Sequence, residues 1–89
     1  METLSSIESF VRTAEAGSFA EAARRLGLSP AAVGKNVARL ESSLGVRLFL
    51  RSTRRLTLTE AGERFLAEVS GGLANIQGAV ANLASSQGQ

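Results

Sequence analysis

Long cationic side chains are the residues of this sequence with the most evident chemistry. Lys35 and Arg39 lie in the stretch LSPAAVGKNVARLE, Leu28 to Glu41. A second basic stretch follows, with Arg51, Thr53, Arg54 and Arg55. Ammonium and guanidinium groups bind phosphate oxygens and base edges. The types and spacing of these residues therefore indicate a surface that binds nucleic acid.

The net charge of +2 conceals an uneven distribution of charge along the chain. Residues 24–55 carry eight cations and one anion, Glu41, and so a charge of +7, whereas residues 1–23 carry −3 and residues 56–89 carry −2. A basic segment between acidic flanks is typical of a surface that meets a polyanion. The alternative interpretation is a solvated surface that is basic without having such a partner.

Several classes of function lack the residues that they need. The 89 residues include no Cys, His, Asp, Tyr or Trp, so we expect no catalytic triad, no metal site, no cofactor and no enzymatic activity. Without Tyr or Trp, stacking on single-stranded bases is disfavoured, and duplex DNA is the better target. The sequence has no run of about 18 apolar residues and no secretion signal, which predicts a cytoplasmic protein that does not enter a membrane.

Apolar periodicity predicts three helices in the first half of the chain, over about residues 3–16, between Ser18 and Gly27, and over residues 30–44. Each ends at a glycine, and serines are suitable N-caps for the second and third. The connection between the second and third helices is so short that they must cross sharply. This arrangement is typical of a helix-turn-helix.

The third helix, residues 30–44, has two unlike faces. Its apolar residues recur at steps of four, three and four and form the expected buried face: Val33, Val37, Leu40 and Leu44. The opposite face carries small residues, Ala31, Gly34 and Ala38, beside Lys35 and Arg39. Such a face allows a helix to enter the DNA major groove closely, so that its cations reach bases or phosphates. Alanines also suit an ordinary solvent-facing helix, but a glycine that costs about 0.5–1 kcal/mol is not explained in that way.

After residue 45 the apolar period changes from that of a helix to that of a strand. Val46, Leu48 and Leu50 alternate with other residue types, and a second alternating stretch follows at residues 55–58. This pattern predicts two short strands around the loop RSTR. A hairpin after a helix-turn-helix is a wing, and an arginine-rich wing tip suits a narrow minor groove or phosphates. Cations on an edge strand also prevent aggregation, which accounts for one or two of these arginines.

Residues 59–84 are predicted to form a last helix of about 39 Å, with Thr59 as its N-cap. Its apolar residues repeat at steps of three and four and form a heptad seam: Leu66, Val69, Leu73, Ile76, Val80 and Leu83. A rod of this length cannot fold back on a small core, so we expect the seam to bind a second copy in a homodimer. Three glycines, at positions 71, 72 and 78, weaken the isolated helix by about 1 kcal/mol each. Residues 85–89 are expected to be a disordered tail.

The fold class that results is mainly α, a winged helix-turn-helix over residues 1–58 followed by a dimerisation helix over residues 59–84. The stretch AEAGSFAEAARRLGLSPAAVGKNVARLESSLGVRLFLRSTRRLTLTEAG also resembles the N-terminal DNA-binding domain of LysR-type transcriptional regulators. The resemblance covers about residues 3–66. Its matching features include Gly17-Ser18-Phe19, Leu44-Gly45-Val46 and Leu58-Thr59-Glu60-Ala61-Gly62.

The resemblance implies sequence-specific binding of double-stranded DNA by a dimer or a tetramer, with the third helix in the major groove and the wing, residues 51–55, in the minor groove. Major-groove positions would be Pro30, Ala31, Gly34 and Lys35. Arg54 would enter the minor groove, with Ser29, Arg51 and Thr53 near phosphates. Many family members carry Gln and Ser where this chain has Pro30 and Gly34.

The expected homodimer has consequences for the DNA site and for the rest of the protein. Two recognition helices about one DNA turn apart, ~34 Å, call for an inverted-repeat site. The resemblance implies that the last helices pair antiparallel. It also implies that a small-molecule effector binds only to a C-terminal domain, which would follow residue 89.

Two other functions are compatible with parts of this pattern. A winged helix can pair with another protein instead of DNA, and a coiled-coil adaptor can touch an anionic membrane through its basic segment. The second alternative needs a basic amphipathic helix, whereas the longest helix here is acidic. Retention of random duplex DNA, with and without lipid vesicles as competitor, separates the three functions.

Overall fold

The computed structural model of the protein describes residues 2–52 and 55–87. Helix α1 spans Glu2–Ala16, α2 spans Phe19–Leu26 and α3 spans Pro30–Leu44. Strands β1 (Phe49–Arg51) and β2 (Leu56–Leu58) form an antiparallel pair, and α4 spans Glu60–Gln87. The predicted mainly α winged helix-turn-helix followed by a long helix is confirmed. Within the described ranges, no helix has both the length and the apolar composition that crossing a membrane requires.

The ends of the first three helices lie where their capping residues predict. The hydroxyls of Ser18 and Ser29 each accept an N–H from the first turn of the following helix, at 3.1 Å. Gly17, Gly27 and Gly45, which follow α1, α2 and α3, have φ between 69° and 78°. Glycine adopts this left-handed conformation without strain, so each helix stops cleanly at these positions.

The core lies between α1, α3, the first half of α4 and the wing. Phe10 is fully buried, and its ring lies 5.4 Å from the ring of Phe49 and 5.5 Å from that of Phe65. Phe19 meets Phe49 edge-on at 6.2 Å. Tilted aromatic pairs of this kind stabilise packing beyond the area that they bury. All four phenylalanines therefore serve packing, and the wing rests on the helices through Phe49.

The first strand begins three residues later than its alternating pattern predicts. The prediction of a strand from Val46, with Val46, Leu48 and Leu50 on one side, is wrong. Leu48 and Phe49 are both buried, while Leu50 is 58% exposed. The residues before Phe49 turn back towards α3 and are held there by hydrogen bonds, so they cannot join the sheet. In the paired register Phe49 faces Leu58, and these two residues form the buried side of the wing.

The buried face of α3 is shorter than predicted. It consists of Val33, Val37 and Leu40. Leu44, predicted to complete this face, is 44% exposed because it occupies the last helical position. It lines a shallow groove together with Val46, Ala61 and Phe65, where the end of α3 meets the start of α4. We call this feature the α3–α4 groove.

The first half of α4 packs against α1 of the same chain. Leu66 and Val69 are half-buried there, and Leu73 is 5% exposed. One turn further on, Gln77 accepts a hydrogen bond from Arg12 and donates one to Glu8. The prediction that the whole seam lacks cover within one chain is therefore wrong for its first three residues. The reason is that α4 runs beside α1 before it leaves the core, so the core includes residues on both sides of the predicted boundary at residues 58 and 59.

The second half of α4 extends away from the core. Ile76, Val80 and Leu83 are 46%, 65% and 63% exposed. The helix continues to Gln87, three residues beyond the predicted end at residue 84. No Gly or Pro occurs between residues 78 and 88 to stop it. Residues 85–87 of the expected tail are thus helical, while residues 88–89 lie outside the described residues.

Candidate nucleic-acid interface

The exposed side of α3 carries few large side chains. Ala31, Ala38 and Ser42 are exposed along it, and Lys35 and Arg39 project from the same side. The opposite side is buried against α1 and α2. The structure therefore brings the predicted groove-facing residues of this helix together on one surface. The short side chains on it project little from the helix backbone.

Gly34 lies at the edge of this surface and is half-exposed. A Cβ added at Gly34 would meet nothing within 4 Å. Packing within the chain therefore gives no reason for a glycine here, although a helix-interior glycine costs about 0.5–1 kcal/mol relative to alanine. The described structure thus leaves the glycine at position 34 without an explanation from packing within the chain.

The start of α3 is held by Ser29. Its hydroxyl accepts the N–H of Ala32, and its carbonyl accepts the N–H of Val33 at 3.1 Å. Pro30 occupies the first helical position, where no amide hydrogen is needed. Ser29, Pro30 and Ala31 are exposed, as a contact with a ligand at the positive end of a helix requires. The Ser29 hydroxyl, predicted to lie near a phosphate, accepts in this cap, and its own O–H can still donate.

The cations of the basic segment differ in their partners. Arg24 and Arg25 both form ion pairs with Glu21 on the same helix. Exposed pairs of this kind contribute little to stability, but they neutralise charge locally. The ion pairs with Glu21 therefore reduce the positive charge of the basic segment at α2.

In the wing, the described cations lie close to the start of α2. The Arg51 guanidinium lies over the ring of Phe19, 5.1 Å from its centroid. The N–H of Ser52 donates to the Arg55 carbonyl at 3.0 Å, and the Ser52 hydroxyl accepts the Arg55 N–H at 3.1 Å. Arg51 and Arg55 line one concave surface with Ser18 and Phe19. Thr53 and Arg54, predicted at the wing tip, lie outside the described residues.

Sequence reasoning missed the role of Glu41. This half-buried residue of α3 accepts the backbone N–H of Leu48 at 2.8 Å and that of Phe49 at 3.2 Å on one carboxylate oxygen. It thereby holds the start of the wing against α3. A signal was present, since Glu41 is the single anion among residues 24–55 and a carboxylate there opposes any attraction to DNA.

Comparison with protein families gives a match over most of the chain. Residues 4–63 match the family described as bacterial regulatory helix-turn-helix protein, lysR family. The HTH-type transcriptional regulator PtxR of Pseudomonas aeruginosa is 38% identical over 86 residues, which are 97% of this chain and 28% of PtxR. The regulator PgrR of Escherichia coli K12 is 40% identical over 86 residues, or 97% of this chain and 29% of PgrR. The chain thus spans less than a third of the length of these relatives.

Solved structures of similar fold include two DNA complexes. The BenM DBD bound to benA site 1 DNA has a TM-score of 0.82 at 26% identity, covering 94% of both chains. The CbnR DBD–DNA complex has a TM-score of 0.78 at 31% identity, covering 97% of this chain and 98% of that one. Oxidised OxyR of Corynebacterium glutamicum has a TM-score of 0.87 at 32% identity, covering 93% of this chain and 27% of that one.

Proposed function

The chain belongs to the lysR family of bacterial regulatory helix-turn-helix proteins, and we propose that it binds double-stranded DNA sequence-specifically as the DNA-binding domain of a transcriptional regulator. The observation that carries this proposal is the bare side of α3, with open space at Gly34 beside exposed Lys35. A helix enters the major groove, which is about 12 Å wide, only where its side chains do not hold it off. The function is binding rather than catalysis, and we expect it in the bacterial cytoplasm, where the DNA is.

In the major groove, α3 would present an unusual set of contacts. Pro30 and Gly34 carry no side-chain hydrogen-bonding group, so direct hydrogen bonds to bases depend on Lys35 and Arg39. Pro30 and Ala31 offer apolar surface instead, which suits the methyl group of thymine. We therefore expect the half-site to be read by one or two cationic contacts and by close apolar fit.

In the minor groove, the wing would contribute residues 51–55. Arg51 and Arg55 flank the tip, and the contact of Arg51 with the Phe19 ring limits how far the wing moves relative to α2. Arginine is well suited to a narrow minor groove because the electrostatic potential of the DNA is more negative where the groove is narrow. The tip residues Thr53 and Arg54 remain the proposed minor-groove and phosphate contacts.

We propose that two copies pair through α4. The seam residues that remain available are Ile76, Val80 and Leu83, since the three residues before them already pack in their own chain. From Val69 to the last residue the sequence contains no charged residue, which supports an apolar interface. Burying each of these side chains would stabilise the dimer by roughly 1.5–3 kcal/mol.

An antiparallel arrangement would cover a second apolar surface at the same time. At 100° per residue, Phe65, Gly72, Ile76 and Leu83 lie within about 40° of one another around α4. The exposed residues Ile76 and Leu83 therefore lie on the same side of α4 as the α3–α4 groove, which contains Phe65. A second α4 running in the opposite direction would lay its Leu83 near this groove, in agreement with the pairing that the family resemblance implies.

Selection of bound sequences from a random duplex pool tests the proposed function. We expect an inverted repeat with half-sites about one DNA turn apart, ~34 Å. Lys35→Ala should reduce affinity for the selected site. Retention of DNA without enrichment of any sequence would contradict sequence-specific binding. Failure to retain duplex at all would favour a winged helix that pairs with protein.

A further inference from the structure

Residues 45–48, which we call the bridge segment, are bonded to α3 through Glu41. The backbone carbonyl of Glu41 accepts the N–H groups of Gly45 at 2.8 Å and Val46 at 3.2 Å. Its carboxylate accepts the N–H groups of Leu48 and Phe49. Four amides at and just beyond the bridge segment therefore converge on one residue of the recognition helix, which holds the segment in a defined position relative to α3.

The first turn of α4 is bonded to the same segment from the other side. Thr59 donates its N–H to the Leu48 carbonyl at 3.0 Å and its hydroxyl to the Arg47 carbonyl at 2.6 Å. The same hydroxyl oxygen accepts the N–H of Gly62 at 2.9 Å. A Cβ at Gly62 would lie 2.1 Å from the Leu48 carbonyl oxygen, so the helix rests directly on the bridge segment. The Thr59 hydroxyl thus joins α4 to the segment that Glu41 joins to α3.

We propose that Thr59 is a positioning residue that sets the angle between α3 and α4, and thereby the spacing of DNA half-sites that the dimer prefers. This inference rests on the proposed dimer on DNA. Leu83 lies about 36 Å along the helix from Thr59, so a tilt of about 5° at the base, with a smaller shift of Leu73 against α1, displaces Leu83 by ~3 Å. That displacement is similar to the ~3.4 Å rise of one base pair. A small change at Thr59 would therefore correspond to a change of one base pair in the spacer.

The experiment compares two substitutions at Thr59. Thr59→Val keeps the shape of the side chain and removes the hydroxyl, whereas Thr59→Ser keeps the hydroxyl. Affinity is measured for one selected half-site and for inverted repeats whose spacer changes by one base pair at a time. We expect wild type and Thr59→Ser to prefer the same spacer. Thr59→Val should bind that spacer at least fivefold more weakly, shift or lose the preference, and bind the single half-site within twofold of wild type.

The outcomes separate this inference from the proposed function. An unchanged spacer profile in Thr59→Val overturns the inference. A Thr59→Val chain that unfolds, or that loses the single half-site as well, also overturns it, because Thr59 then supports the whole domain instead of its orientation. Thr57→Val, at an exposed position of β2, is the matched control and should keep the preferred spacer. A wild type that binds a half-site but shows no spacer preference contradicts the dimer and this inference, while DNA binding by the domain stands.

Discussion

The two halves of α4 continue one apolar repeat, but different surfaces are available to cover them. Leu73 in the first half packs on α1 and is almost fully buried, whereas Leu83 in the second half faces solvent. The helix is about 42 Å long at 1.5 Å per residue, and Ile76, Val80 and Leu83 are 46–65% exposed, so the core covers only its first half. A heptad repeat therefore predicts that a face will be covered without stating by which chain.

The largest expected effect comes from truncating one leucine in each half. Leu73→Ala should lower the free energy of unfolding by about 2–5 kcal/mol, because it leaves a cavity in the core. Leu83→Ala should lower it by less than about 1 kcal/mol in the monomer, since little of the side chain is buried there. Denaturant unfolding at a concentration where the chain is monomeric measures both. Equal losses of unfolding free energy in the two variants would mean that the two halves of α4 do not differ in burial.

A charge placed in the second half should separate the two copies and leave the domain folded. In Ile76→Glu an unpaired carboxylate would be buried by pairing, so we expect a monomer with nearly wild-type helicity. Its affinity for the paired site should fall about 100-fold, as the second half-site no longer adds to the first. Sedimentation and circular dichroism make the measurement.

Leu50→Glu, at an exposed position of the wing, is the control for Ile76→Glu and should leave the sedimentation coefficient unchanged. Two results would show that the second half of α4 is not the interface. One is a wild type that is monomeric at tens of micromolar, and the other is an Ile76→Glu chain that stays dimeric.

The salt dependence of DNA affinity should also distinguish the paired protein from the Ile76→Glu monomer. If three to five cations of each protomer contact phosphates, a dimer on a paired site should show a log–log slope of roughly −5 to −9. Ile76→Glu on a single half-site should show about half that slope, because only one protomer releases counterions. Titrations at several salt concentrations provide both values. A wild-type slope shallower than about −2 would contradict binding through α3 and the wing.

The smallest expected effects distinguish a glycine that faces the chain's own backbone from one that faces outwards. Gly62→Ala should destabilise the domain by about 1–3 kcal/mol, because its Cβ would overlap the Leu48 carbonyl. Gly34→Ala should stabilise it by up to about 1 kcal/mol, since helix propensity rises and no atom obstructs the Cβ. We expect Gly34→Ala nevertheless to weaken DNA binding. An affinity that rises together with stability would show that close approach does not explain Gly34.

Local signals predicted much of this fold. Ser18, Ser29 and Gly45 mark helix ends because capping depends on the residue itself and its nearest neighbours. The outward face of α3 was predictable for a related reason, since the buried face of a helix follows from a period of 3.6 residues.

Contacts between segments distant in sequence were not predictable in this way. The alternating pattern did not predict that Leu48 and Phe49 are both buried, because hydrogen bonds to Glu41 displace the start of β1. The burial of Leu73 depends on α1 lying alongside α4, a contact between residues about 60 positions apart, which periodicity does not encode. Likewise, the need for glycine at position 62 arises from the carbonyl of Leu48, which has no local signature.

The glycines in the middle of α4 have a consequence for how such a regulator evolves. A Cβ at Gly71 or Gly78 meets nothing within 4 Å, and at 100° per residue both positions face away from the core and from Ile76 and Leu83. Alanine at either position would raise helix propensity by about 1 kcal/mol and so reduce the ordering that pairing requires. If copies pair through α4 as proposed, variation at these two positions would change the protein concentration at which they pair, without altering the residues proposed to face DNA.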